Sequence, residues 1–160
     1  MTRPGDLSFI ASAGQPMSID SDRARRPILA VAPFIAFSRG TFERHVADAI
    51  AQDICVQLSR FSWFEVTDFL TAMHLSRKKL APLEIASSLC ADFFLSGTIR
   101  KHDSSLRVTV QLADAAAGRI IWAERVTLHA DDQELARQDD IVERVAARIG
   151  DMYGVLATTV

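Results

Sequence analysis

Two long segments between Asp92 and Leu112, each alternating apolar with polar residues, constrain the fold of this chain more than any other feature. The apolar rows are Phe93, Leu95, Gly97 and Ile99 in the first segment and Leu106, Val108, Val110 and Leu112 in the second. Side chains of a strand point to opposite faces in turn, so this period of two is typical of half-buried strands. A third segment follows, led by Ile120, Trp122 and Val126, which we expect to face the same core.

Two turn-forming stretches connect these segments. The first runs from Lys101 to Ser105, and the second, from Asp114 to Gly118, begins with Asp and ends with Gly, which adopts a positive φ at little cost. The connections are short enough for hairpins. The region from Asp92 to Arg125 is therefore predicted to be an antiparallel meander of three strands.

The polar rows of the first two strands form a surface of their own. We call it the polar sheet face, and it consists of Ser96, Thr98, Arg100, Arg107, Thr109 and Gln111. The simpler interpretation is the solvated side of a sheet whose helices all cover the other side, a common arrangement in antiparallel sheets. The functional alternative is a docking face for a partner.

The remaining chain alternates strand and helix patterns. A strand is predicted over 28–34, where Pro33 should end it, and a loop to Gly40 leads to a helix over 41–59. A second strand over 61–67 is followed by a loop that contains Arg77, Lys78 and Lys79 and by a short helix from Pro82. After the meander, a last helix is predicted from about Asp132. The predicted order is β-α-β-α-β-β-β-α. This order indicates an α/β sandwich with a mixed sheet that ends in the antiparallel meander.

Length and composition favour one domain. Of the 160 residues, 49% are hydrophobic and 24% are charged, which is ordinary for a globular protein. Residues 1–26 lack any apolar period, so we expect a flexible N-terminal tail before a domain over 27–160, with Arg23, Arg25 and Arg26 solvated. A net charge of -2 argues against direct nucleic-acid binding. The sequence contains no apolar run long enough to predict a membrane span, so we expect a cytoplasmic protein.

No motif predicts catalysis. The isolated glycines form no phosphate loop, and the four histidines lack the spacing of metal ligands. Cys55 and Cys90 fall on apolar positions of predicted helices, where we expect small buried hydrophobes and not a disulfide. The run 129–132 offers nitrogen and oxygen ligands for a weak divalent cation, but turn and helix-cap chemistry explains it better. We therefore predict no catalytic, cofactor-binding or metal-binding residue, and no enzyme.

The order of these segments resembles a known family. The stretches ILAVAPF, VADAIAQDICVQLSRFSWFEV, IASSLCADFFLSGTIRK, LRVTVQLADAAAGRIIWAERV and QDDIVERVAARI are similar to the TolB-like amino-terminal domain of bacterial signalling proteins, over about Pro27 to Ile149. In that family the domain accompanies winged-helix DNA-binding or adenylate/guanylate cyclase domains, often with tetratricopeptide repeats. Three positions depart from its pattern: Cys90 replaces a usual Gly, Ser104-Ser105 a Gly-Asn turn, and Val126 a Tyr.

The resemblance implies a non-catalytic regulatory module that contacts a protein partner or a signalling output domain through its sheet face or an edge strand. It implies no cofactor. The alternative is a small-molecule sensor, or an undetected enzyme, with a pocket at the ends of the first two strands, where open α/β sheets place ligands.

Overall fold

A computed structural model describes residues 25–37, 40–129 and 134–152, without the side chains of 134–137. The strands are β1 (Ile28–Val31), β2 (Ile35–Ala36), β3 (Glu65–Val66), β4 (Phe93–His102), β5 (Ser105–Asp114) and β6 (Ile120–His129). The helices are α1 (Thr41–Leu58), α2 (Phe69–Arg77), α3 (Pro82–Ser88) and α4 (Glu134–Asp151). The predicted start of the last helix and the tail up to residue 24 lie outside the described residues.

The strands form one mixed sheet in the order β3-β1-β4-β5-β6, and β2 pairs with β4 beyond the end of β1. β1 is parallel to both of its neighbours, whereas β4, β5 and β6 are antiparallel to one another. The predicted α/β sandwich with a mixed sheet and a terminal meander is thus confirmed. The three meander strands are longer than predicted, so the first turn shrinks to Asp103 and Ser104, with Asp103 at a φ of 53°.

The main core lies between one face of the sheet and the helices α1 and α4. The predicted apolar rows of β4 and β5 are buried there against Ile50 and Ile54 of α1 and Ile141, Val145 and Ile149 of α4. Each of these helix residues recurs at intervals of three or four, so they form one apolar stripe per helix. This packing leaves the polar rows of β4 and β5 on the opposite side.

Part of that opposite side is also covered. Ala30 of β1, Phe94 of β4 and Ala113 of β5 pack with Ala86 of α3 in a second buried cluster. The expectation that helices cover only one side of the sheet is therefore wrong at this end. Small alanine side chains at the contact let the short helix α3 approach the sheet closely.

A bulge corrects the assignment of the third meander strand. The register shifts between Leu112, which pairs with Trp122, and Ala113, which pairs with Ile120. Two residues of β6 are therefore used where β5 advances by one, which turns Ile120 away from α1 and α4, and Ile120 is 58% exposed. Trp122 does face the main core with Val126, but both side chains are only half-buried.

The predicted strand over 61–67 is mostly an aromatic cluster. Only Glu65 and Val66 pair in the sheet, whereas the ring of Phe61 lies 5.2 Å from that of Trp63 and 5.6 Å from that of Phe64, centroid to centroid. The loop predicted after it contains helix α2. Its N-cap residue is Asp68, whose carboxylate accepts a hydrogen bond from the backbone N–H of Thr71 at 2.9 Å. This bond and one from the Thr71 hydroxyl lower the pKa of Asp68.

The two cysteines have different surroundings. Cys55 is buried in the main core as predicted, but Cys90 is exposed in the turn after α3, with a φ of 54°. Positive φ favours glycine, so Cys90 stands at a position whose backbone suits the Gly that the resemblance implies there. None of the described helices is long and apolar enough to cross a membrane.

Candidate functional site

The residues of the polar sheet face form three directly opposed pairs. Ser96 pairs with Gln111, Thr98 with Thr109, and Arg100 with Arg107 across the β4–β5 ladder. All six side chains are half-buried except that of Arg100, which is exposed. The structure thus brings the predicted set together on one surface.

Strand β6 widens this surface. Ala123, Arg125 and Thr127 lie opposite Gln111, Thr109 and Arg107, respectively, and all three are exposed. Arg125 is the diagonal neighbour of Arg107, a distance that long side chains can span. These rows therefore hold three arginines and no acidic residue.

Three arginines of this widened surface have no carboxylate partner in the part of the chain that the structure describes. Among the described residues no carboxylate lies within 4 Å of the guanidinium groups of Arg100, Arg107 or Arg125. Instead, Cζ of Arg100 lies 4.5 Å from the centroid of the Phe37 ring. Phe37 is itself 58% exposed, and its backbone N–H donates to the carbonyl of Ile99 at 2.9 Å, which fixes it beside β4.

A groove of about 230 Å³ runs along one side of the polar sheet face. Its floor is formed by Ser96, Thr98, Thr109 and Gln111, and its walls are mainly apolar: Ala32, Pro33 and Ile35 on one side and Leu80, Pro82 and Ile85 on the other. Ile35 is 53% exposed. The groove lies beyond the carboxyl end of β1.

Local sequence explains both walls. Pro33 follows β1, and the chain then re-enters the sheet as β2 beside Thr98 and Ile99. On the other wall, Lys79 adopts a φ of 60°, which reverses the chain between α2 and α3, and Pro82 starts α3 where a missing N–H costs nothing. The exposed residues Arg77, Lys78 and Lys79 connect the lining residues Ser76 and Leu80, and we call this connection the rim.

Asp92 is a half-buried anchor that the sequence did not reveal. Its Oδ2 accepts from the backbone N–H of Ile28 and from Nη1 of Arg25, both at 2.8 Å, and its Oδ1 accepts from Nη2 of Arg25 at 2.6 Å. The side-chain hydrogen bonding between Arg25 and Asp92, together with the negative charge of Asp92, raises the pKa of Arg25. Arg25 and Arg26, predicted to be solvated, are thus ion-paired, the latter with Glu65 at 2.8 Å. Arg23 lies outside the described residues.

A cavity of about 380 Å³ beside Asp92 is lined by Ser87, Cys90 and Asp114 among others. Asp114 is occupied in its turn, where Oδ1 accepts from the backbone N–H of Ala116 at 2.8 Å. Both carboxylates thus have structural hydrogen bonds. No group of three or more His, Cys, Asp or Glu that could hold a metal occurs among the described residues, and the run 130–133 lies outside them.

Sequence reasoning also missed Ile35 and Phe37. Both residues come after Pro33 in a stretch that lacks a regular apolar period. Their importance becomes visible only from their position beside β4 in the folded sheet. The structure adds them to the edge of the polar sheet face.

Comparison with known proteins adds relatives of three kinds. The model of the HilA/YgeH-like transcriptional regulator second domain matches residues 24–144. A Rhizobium meliloti (strain 1021) protein named "Putative adenylate cyclase 3" is 27% identical over 120 residues, which cover 75% of this chain and 20% of that protein. The chain thus spans only about a fifth of the length of that relative.

Two solved structures share the fold. The lipoprotein GNA1162 from Neisseria meningitidis has a TM-score of 0.54 at 13% identity, covering 77% of this chain and 96% of that one. The hypothetical protein CT253 from Chlamydia trachomatis has a TM-score of 0.52 at 11% identity, covering 83% and 99%. At these identities the likeness concerns the fold alone.

The regulator domain and the cyclase-named relative confirm the predicted resemblance to TolB-like domains of bacterial signalling proteins. The regulator model covers most of this chain, including β1, the whole meander and much of α4. The chain therefore belongs to the family of HilA/YgeH-like transcriptional regulator second domains.

Proposed function

We propose that this domain is a non-catalytic regulatory module that docks a protein partner, or an output domain of a signalling protein, on the polar sheet face. The observation that carries the proposal is the combination of three arginines without a carboxylate partner among the described residues and an adjoining apolar groove. A sheet surface with only a structural role gains nothing from like charges placed opposite one another, because such pairs are destabilising.

The relatives support a regulatory role in general. One is a domain of transcriptional regulators, and the other is a much longer protein named as an adenylate cyclase. A domain that recurs beside different outputs suits a module that transmits a contact. We include in the proposal a cytoplasmic location, where regulators and cyclases of this kind act, and no direct contact with nucleic acid.

Site-specific photocrosslinking in the native host tests this proposal. A photoreactive amino acid replaces Thr109 on the polar sheet face, and the matched control replaces Gln52, which is exposed on α1 at the other side of the sheet. The expected result is one defined crosslinked polypeptide, identified by mass spectrometry, from position 109 and not from position 52. The same products from both positions, or none from 109, would count decisively against docking on this face.

The groove itself favours a second candidate, a small-molecule sensor. Its position beyond the carboxyl end of β1 is where open α/β sheets place ligands. Its volume of about 230 Å³ lies below that of usual drug-sized pockets, so the ligand would be a small metabolite. A thermal-shift screen discriminates between the two candidates, since a ligand at a hundredfold its Kd stabilises the fold by about 2.7 kcal/mol. A metabolite whose effect disappears in Thr98→Trp would favour the sensor.

A further inference from the structure

We propose that the polar sheet face binds an extended, acidic segment of a protein partner whose apolar side chains enter the groove. This inference rests on the proposed function and specifies the chemistry of the partner. The charge of the surface, the lining of the groove and the geometry of the strands each favour this kind of partner.

The arginines give this surface a positive charge. Arg100 and Arg107 are directly opposed across the ladder, and Arg125 is diagonal to Arg107, so an anion bound on them would relieve their mutual repulsion. The rim adds Arg77, Lys78 and Lys79. Glu84, the acidic residue near the lining residue Pro82, is engaged at the start of α3, where its Oε2 accepts from the backbone N–H of Ala81 at 3.4 Å. The surface is therefore complementary to carboxylates.

The groove and its edge expose apolar side chains. Ile35 and Phe37 are large apolar residues that are more than half exposed, and Ile35 lines the groove together with Leu80. Covering these side chains with apolar groups removes surface from water, which is favourable in proportion to the area. A purely polar polyanion could not supply that contact.

The geometry of the surface favours an extended segment as the bound partner. From Ser96 in the groove floor to Arg100 beyond it, β4 spans about 13 Å at the rise of a strand, and an extended peptide places alternate side chains on opposite sides. One row of its side chains can enter the groove while the other reaches the arginines at its edge. Nucleic acid fits less well, because the groove wall is apolar and the chain carries a net charge of -2.

The test uses defined probes and the whole chain. Fluorescence anisotropy measures binding of a labelled synthetic peptide in which glutamate alternates with leucine. The comparison probes are a polyglutamate peptide, a peptide in which lysine alternates with leucine, a single-stranded oligothymidine and vesicles of phosphatidylglycerol. The expected result is that only the glutamate–leucine peptide binds well, with an affinity that falls as salt rises.

Charge-reversal variants locate the binding. Arg100→Glu with Arg107→Glu should weaken binding by about tenfold or more, because two ion pairs are replaced by repulsion. The matched control is Arg44→Glu with Arg60→Glu, two exposed arginines on and after α1, which carries the same change in net charge. Ile35→Ser should weaken binding several-fold by removing a groove wall. Circular dichroism establishes that each variant is folded.

Equal binding of polyglutamate or oligothymidine would overturn the inference, as would an equal loss of affinity in the control variant. If the peptide fails to bind but crosslinks from position 109 persist in the native host, the docking function stands and the acidic-segment inference is wrong. If the crosslinks are absent as well, both fall together.

Discussion

The ring of Phe34 fills the space that a side chain at position 97 would need, since a Cβ built on Gly97 would lie 2.5 Å from Cε2 of that ring. Both residues belong to the main core side of the sheet, and Phe34 is 5% exposed. Gly97→Ala should therefore destabilise the protein by about 1–3 kcal/mol through overpacking. Urea denaturation measures the effect.

A suppressor provides the control for this prediction. In a Phe34→Leu background the smaller side chain leaves room, so the additional cost of Gly97→Ala should shrink. An unchanged cost in both backgrounds would show that backbone preference, and not the Phe34 ring, requires glycine here.

Trp122 and Gln111 test the two faces of the sheet. Trp122→Ala should cost about 2 kcal/mol, below the usual range for a fully buried tryptophan, because its side chain is only half-buried against the core. Gln111→Ala, on the polar sheet face, should change the free energy of unfolding by less than about 0.5 kcal/mol. Chemical denaturation compares them, and a larger loss for Gln111→Ala would mean that the polar sheet face carries core packing.

Asp92 should be the more important member of its ion pair with Arg25. Asp92→Ala leaves the half-buried N–H of Ile28 without its acceptor and should cost about 1–3 kcal/mol. Arg25→Ala removes only an exposed partner and should cost less than about 1 kcal/mol. Asp92→Asn, which keeps an acceptor for Ile28, should fall between them. Equal losses for all three variants in urea denaturation would refute this ranking.

Cys90→Gly should stabilise the protein by up to about 1 kcal/mol. The backbone at this position has a φ of 54°, which costs an L residue roughly 1–2 kcal/mol, partly offset by the larger entropy of glycine in the unfolded chain. Cys90→Ala is the matched control, because it removes the thiol but keeps Cβ and should bring no gain. Thermal denaturation decides, and equal melting temperatures for the two variants would contradict the backbone explanation.

The thiols should differ in reactivity. Burial raises the pKa of Cys55 to about 12, with a further contribution from the charge of Asp68, so its thiolate is scarce near neutral pH. Iodoacetamide should therefore alkylate the exposed Cys90 in the native protein and reach Cys55 only after unfolding. Mass spectrometry of native and denatured samples checks this, and native Cys90→Ala should remain unmodified.

Strands β4 and β5 and helix α1 could be predicted because each has an unbroken apolar period, from Phe93 to Ile99, from Leu106 to Leu112 and from Val46 to Leu58. Helix α2 could not, because only Phe69 and Ala72 are buried along it and Leu70 is 65% exposed, which obscures the stripe. Its clearest local signal is Asp68 three residues before Thr71, the spacing of an N-cap.

Predicting the candidate site from the sequence succeeded only in part. The alternation of apolar and polar residues was enough to place the six residues of the polar sheet face on one side, because the direction of a strand side chain depends on local geometry. The groove depends on Pro33 and Pro82, which are far apart in the sequence, and on the pairing of β2 with β4. The bulge opposite Ala113 likewise leaves no trace in the pattern of β6, so the outward turn of Ile120 could not be foreseen.

The place of β1 between β3 and β4 has a consequence for synthesis of the chain. Its apolar residues Leu29 to Val31 leave the ribosome well before Phe93 to Leu95, their partners in the sheet interior. β3 emerges first and can pair with one edge of β1, but until β4 emerges the other edge stays unpaired and open to association with other chains. The rate at which the ribosome reaches β4 therefore sets how long the nascent protein is prone to aggregate.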